Sequence, residues 1–236
     1  MDARVLDRQG WEVLARLGAG PLAKSFYLAG GTGLALQLSH HRSLDLDFFT
    51  HNPSSTLAWS EMEGALREEF GLVQSNLVQH TVDQATWSIR GTKVSFIAYP
   101  FPLTEACVEG RTISAELRGI RLASPREIAL MKAYTLGRRA LFRDYVDMYF
   151  VLRAGMVSLE YILRVAPRKF TLAGECLFSG RLFLEQLVYT KDTPDREESL
   201  QMLIDPKLSA EEVETYLLAA VDRVVQAQRH DKGSSR

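Results

Sequence analysis

One stretch, Phe26 to Phe49 (FYLAGGTGLALQLSHHRSLDLDFF), constrains the fold more than any other part of the chain. Lys24 to Ala29 reads as a short strand running into Gly30-Gly31. The apolar residues Leu34, Ala35, Leu36 and Leu38 predict a helix over Thr32 to His40. Leu44 to Phe49 then alternates, with Leu44, Leu46 and Phe48 facing one way and Asp45, Asp47 and Phe49 the other, which is a strand pattern. Residues i and i+2 of a strand share a face and lie about 7 Å apart. Asp45 and Asp47 can therefore close on one divalent cation or a bridging pair, and such hard oxygen ligands suit Mg²⁺ or Mn²⁺. The glycines let the backbone approach phosphates, and the helix that follows points its first amides at them. Singly these signals are weak, because wet strand faces often carry two acids and Gly-Gly is an ordinary turn. In this order they point to a metal–phosphate site.

The rest of the chain divides in character. A helix is predicted over 11–17, a loop over His51 to Ser55, and a helix over 56–70. Extended segments follow at 76–80, 85–90 and 93–99, the last two joined by a turn at Gly91-Thr92. Ser124-Pro125-Arg126-Glu127 is a helix start, with Ser as N-cap and Pro at the first position. Helical periodicity then continues over 125–136, about 145–154, 158–165, 175–190 and 209–228, with Gln228 to Arg236 fraying. The expected class is α+β. A mixed sheet with flanking helices occupies 1–120, and a mainly helical part, 121–236, completes the active-site cleft.

Composition narrows the setting. Hydrophobic residues make up 46% of the chain, enough for a real core. No apolar run approaches the roughly 18 residues of a membrane span, and Met1 to Gly10 is too charged for a signal peptide. Cys107 and Cys176 cannot build a disulfide scaffold or a four-ligand zinc site, and read as buried, reduced thiols in a cytoplasm. Trp59 and Trp87 read as core. Adjacent His40 and His41 make a poor chelating pair on a helix and are expected to face solvent or cap it. The net charge of −1 hides an asymmetry: residues 111–169 hold twelve Lys/Arg against five acids, a local +7. That suggests either a polyanionic partner or a solvated arginine-rich surface.

AGGTGLALQLSHHRSLDLDFF resembles the nucleotidyltransferase signature, a Gly-Gly or Gly-Ser turn followed by Asp-x-Asp. It most resembles the AbiEii/AbiGii-type toxin nucleotidyltransferases. SPREIALMKAYTLGRRALFRDYVDMYFVL, residues 124–152, is similar to that family's downstream motif, a lysine on one helix and Arg-Asp-x-x-Asp on the next. The resemblance implies a nucleotidyltransferase-like fold and transfer of a nucleoside monophosphate from an NTP, with pyrophosphate released. It gives Asp45 and Asp47 the metal, Mg²⁺ or Mn²⁺, and Gly30, Gly31 and Thr32 the β/γ-phosphates. It implies an RNA acceptor, particularly a tRNA 3′ end, with a protein hydroxyl as the alternative, and a cognate antitoxin partner. No membrane association is expected.

Ser95 stands where the superfamily's third carboxylate is expected, so Asp144 or Asp147 substitutes or the reaction lacks a dedicated base. A catalytically weakened nucleotide-binding protein acting through a partner is the competing reading. Lys132 lies in or beside the apolar stripe of Ile128 and Leu136, where it either snorkels or enters a polar cleft with Asp45 and Asp47 as a charge for the triphosphate. Asp144 reads as a catalytic residue or as the N-cap of a helix starting at Tyr145. Arg42 and Ser43 could reach phosphate, though Arg42 equally reads as a surface cation. Arg138 and Arg139, after Gly137, are expected to extend into solvent toward a polymer.

Overall fold

Phe26–Leu28 is buried throughout, as an inner strand requires, and forms β1. The computed structural model describes residues 2–71, 75–139, 141–205 and 207–233. Contacts divide the chain into two compact units, Met1–Ile128 and Ala129–Arg236.

The first unit is built on a seven-stranded mixed sheet. Its order is β3 (Ser75–His80), β4 (Gln84–Ile89), β5 (Thr92–Ile97), β2 (Asp45–Thr50), β1, β7 (Arg121–Leu122) and β6 (Val108–Glu109). β1 pairs antiparallel with β2 and parallel with β7, while β2 pairs parallel with β5. The β4–β5 turn is Arg90-Gly91, both at positive φ, and Thr92 is already paired with Ile89. The turn thus lies one residue earlier than expected. The join expected near residue 120 falls later because β7 pairs with β1 and β6, drawing the chain up to Ile128 into this unit.

Helix α1 (Arg8–Ala19) is capped by the Asp7 carboxylate, which accepts from Gly10 N at 2.7 Å, and buries Val13, Leu14 and Leu17. α2 (Gly30–Leu38) ends two residues short of His40 because Ser39 turns left-handed, at φ 56°. His40 and His41 are buried, with ring centroids 4.3 Å apart, and not solvent-facing. Leu44 is likewise misplaced by strand parity: it precedes β2 and is 60% exposed. α3 (Trp59–Phe70) starts three residues after the expected position. Trp59 is half-buried and stacks on buried Trp87, centroids 5.5 Å apart. Phe26, Phe48 and Trp87 all meet Phe96 in the core.

α4 (Pro125–Leu136) leaves the first unit and enters the second, and Ser124 Oγ accepts from Glu127 N at 3.1 Å as the predicted cap. α5 (Phe142–Arg153), α6 (Leu159–Lys169), α7 (Gly180–Leu187), α8 (Arg196–Gln201) and α9 (Ala210–Gly233) complete the second unit around Phe142, Tyr145, Tyr149, Phe170 and Phe183. The helix expected over 175–190 is shorter. Ala173 and Gly174, both at positive φ, reverse the chain into a hairpin of β8 (Thr171–Leu172) and β9 (Glu175–Cys176), and Ser179 caps α7 only from Gly180. Cys176 is therefore exposed rather than buried. The last helix continues to Gly233; the rest of the expected frayed tail, 234–236, lies outside the described residues. No helix among the described residues is long and apolar enough to cross a membrane.

Candidate active site

Leu46 and Phe48 of β2 point into the core, which leaves Asp45 and Asp47 together on the other face, both half-buried. The parallel register with β5 places Lys93 opposite Asp45 and Ser95 opposite Asp47. On the other flank, β1 delivers the chain to Gly30. Ala29 N donates to the Asp47 carbonyl at 3.0 Å, and Gly30 sits at φ +64°. The backbone conformation favours glycine, and a Cβ at Gly30 would lie 2.9 Å from Asp47 Oδ2, so a larger residue would push the carboxylate aside. α2 begins at this point, and its N-cap, Ala29, has no side chain to cap the first amides. A carboxylate and a helix N-terminus thus adjoin one glycine, an arrangement suited to a cation and the phosphates it accompanies.

Thr32 and Ser43 serve the frame of this site. Thr32 is buried, its hydroxyl donates to the Asp45 carbonyl, and it lies 2.5 Å from Ser43 Oγ. Together they fasten the first turn of α2 to the loop before β2, which fixes where Asp45 emerges. Gly31 follows Gly30 in the first helical turn, and Arg42 is exposed.

The second unit holds its own charged cluster. Lys132 Nζ lies 2.6 Å from Asp144 Oδ1 and 2.5 Å from Asp147 Oδ2, and Arg139 Nε donates to Asp144 Oδ2 at 3.0 Å. Both carboxylates are at most 1% exposed, and the lysine side chain 8%. Burial would raise the Asp144 carboxyl, but Lys132 and Arg139 outweigh it and hold it below the usual carboxylate range. Burial would lower Lys132, but Asp144 and Asp147 prevail and keep it above the ordinary lysine value. Lys132 is therefore buried and ion-paired, not snorkelling. A carboxylate held so firmly ionised is a weak proton acceptor near neutral pH.

Asp144 is not the N-cap. α5 starts at Phe142, and Asp195 reaches from 53 residues away to accept from Phe142 N at 2.6 Å and from Arg143 N at 3.3 Å. Arg138 and Arg139 are exposed, as expected, but each is also tied to the protein. Arg138 donates to the Tyr134 and Leu177 carbonyls and lies over the Tyr134 ring, while Arg139 grips Asp144.

The family described as "Nucleotidyl transferase AbiEii toxin, Type IV TA system" matches residues 12–226. The chain belongs to this family. A protein of Aquifex aeolicus (strain VF5), "Uncharacterized protein aq_aa25", is 29% identical to this AbiEii nucleotidyltransferase over 197 residues, covering 83% of this chain and 87% of that one. The crystal structure of JHP933 from Helicobacter pylori has a TM-score of 0.52 at 16% identity, covering 97% of this chain and 98% of that one. A second H. pylori structure gives 0.52 at 14%, covering 98% of each. These two structures speak to the fold alone, and it is the expected one.

Within the AbiEii chain, sequence reasoning expected Gly30, Asp45, Asp47, Thr32, Ser43, Lys132 and Asp144 around one cleft; the structure brings Gly30, Asp45, Asp47, Thr32 and Ser43 together in the first unit, and Lys132, Asp144 and Asp147 together in the second. The sequence reading gave no role to Lys93 or Asp195, and it took Arg139 as a solvent-extended cation rather than the partner of Asp144. Lys93 and Ser95 share the i, i+2 spacing of Asp45 and Asp47, but only the β2–β5 register sets the two pairs side by side. Ser95 is buried, its hydroxyl 3.2 Å from Thr86 Oγ1.

Proposed function

We propose that this AbiEii-family chain moves a nucleoside monophosphate from an NTP to a hydroxyl of another molecule, as the toxin of a toxin–antitoxin or phage-defence pair. The observation that carries this reading is the Asp47 carboxylate set against Gly30 at the start of α2. In such a reaction the acceptor oxygen bonds to the α-phosphorus, the bond to the β-phosphate bridge breaks, and pyrophosphate leaves. Asp45 and Asp47 fit a Mg²⁺ or Mn²⁺ ion: both are hard donors on one partly exposed face. When bound, such an ion neutralises phosphate charge and makes the attacking hydroxyl more acidic. The first amides of α2, at Gly30, Gly31 and Thr32, orient the phosphates, and the loop of Arg42 and Ser43 sets the height of the acid strand. An NTP substrate suits a reaction in the cytoplasm.

The acceptor is an RNA end, such as a tRNA 3′ end, or a protein hydroxyl. Exposed Arg111, Arg118 and Arg143 of the basic segment favour RNA. Arg121, Arg138 and Arg139 are engaged within the protein and support it less. A second reading, a weakened nucleotide-binding protein acting through a partner, is favoured by Ser95 opposite Asp47.

Incubation with each labelled NTP, Mg²⁺ and total RNA or protein separates the two. Label on a polymer with the wild type, and none with Asp45→Asn or Asp47→Asn at unchanged melting temperature, supports transfer. Nucleotide binding without any transferred label supports the second reading. A large fall in the melting temperature of either variant would show that the acids are structural.

A further inference from the structure

The acid pair is not the whole charge of its face. Lys93 is directly opposite Asp45, with Nζ 3.5 Å from Oδ2, and its side chain is 54% exposed. The next same-face residue of β5, Ser95, is 3% exposed, with its hydroxyl against Thr86 of β4 rather than turned outward. The neighbouring strand therefore contributes one ammonium and no carboxylate. Two carboxylates and one ammonium give this face a formal charge of −1. One divalent ion would bring it to +1; two would bring it to +3 with only two acidic ligands between them, few for cations that favour about six oxygens each. Lysine is a compact charge with three donors on a flexible stem, a residue type suited to phosphate.

We propose that Lys93 takes the place of a second divalent cation. Asp45 and Asp47 hold one ion, and the Lys93 ammonium, given up by Asp45, contacts the phosphates of the nucleotide. This rests on the acid pair being the metal site, as argued above. It makes Lys93 a substrate-contacting residue that the motifs of the sequence do not include.

The test is direct binding of Mn²⁺, followed by the paramagnetic resonance of the free ion, alone and with a non-hydrolysable NTP analogue. The wild type is expected to bind one Mn²⁺ per chain with the analogue present. Lys93→Gln removes a competing cation and should bind Mn²⁺ alone about three- to fivefold more tightly. At saturating Mn²⁺ the same variant should bind the analogue about tenfold more weakly, and Lys93→Arg should recover most of that loss. Two Mn²⁺ per wild-type chain, or a Lys93→Gln variant with both affinities unchanged, overturns the role of the lysine while leaving the acid pair standing. Mn²⁺ binding that survives Asp45→Asn with Asp47→Asn, or no binding by the wild type, overturns the acid-pair reading and the lysine proposal with it.

Discussion

Gly30 is favoured by its left-handed backbone, and the Asp47 carboxylate lies against the space where a side chain would stand. Gly30→Ala should therefore cost about 1–2 kcal/mol in backbone strain and also displace Asp47. The expected result is a melting temperature lower by a few degrees and loss of Mn²⁺-dependent nucleotide binding; a variant that melts lower yet binds normally would separate the glycine from the site. Lys132 makes a different case, because charge rather than space is at stake. Asp144 lies below its usual value and Lys132 above its own, so the pair stabilises the fold between the carboxylate and lysine ranges. That contribution fades as pH falls through the lowered Asp144 value, or rises through the raised Lys132 value. Lys132→Met should destabilise by about 3–5 kcal/mol near neutral pH, since Asp144 and Asp147 lose the buried cation they share and Arg139 remains against Asp144. The penalty should shrink toward pH 5 as Asp144, without its lysine, takes up a proton more readily, which urea midpoints at the two pH values would show. A loss independent of pH would point to a packing defect instead.

At the scale of elements, what could be read from the sequence was local. The alternation of Leu46 and Phe48 with Asp45 and Asp47, the Gly30 turn and the Ser124 cap each need only neighbouring residues, and each has its structural counterpart. What escaped needs partners far along the chain. β6 and β7 are two residues each and exist through their pairing. Lys93 faces Asp45 through a register that no local pattern specifies. Asp195 satisfies the start of α5 from across the second unit, which is why Asp144 is free of the capping role its position suggested. The helix expected from 175 failed for a local reason that was legible: Gly174 is a turn residue. Asp195→Ala should cost about 1–2 kcal/mol, read as a lower urea midpoint, with the far-ultraviolet helical signal retained at zero denaturant. No change in the midpoint would mean that water replaces the carboxylate at no loss.

For the whole molecule, the family match spans residues 12–226 and so draws on both compact units. A ligand that binds only the folded chain stabilises it by mass action, about 2.7 kcal/mol at a hundred times its dissociation constant. For a chain of this length that corresponds to a rise of roughly 5–10 °C in melting temperature. Mn²⁺ with an NTP analogue should produce such a rise in the wild type and none in the Asp45→Asn, Asp47→Asn double variant. An equal rise in both would place nucleotide binding elsewhere.

The β8–β9 hairpin has one further consequence. Its Cys176 is exposed, whereas Cys107 is half-buried, with its thiol pushed up to about 11 chiefly by burial. Thiolates, not thiols, react with maleimides. A maleimide fluorophore is therefore expected to attach at Cys176 in preference to Cys107, a single natural address in the second unit of the unaltered sequence.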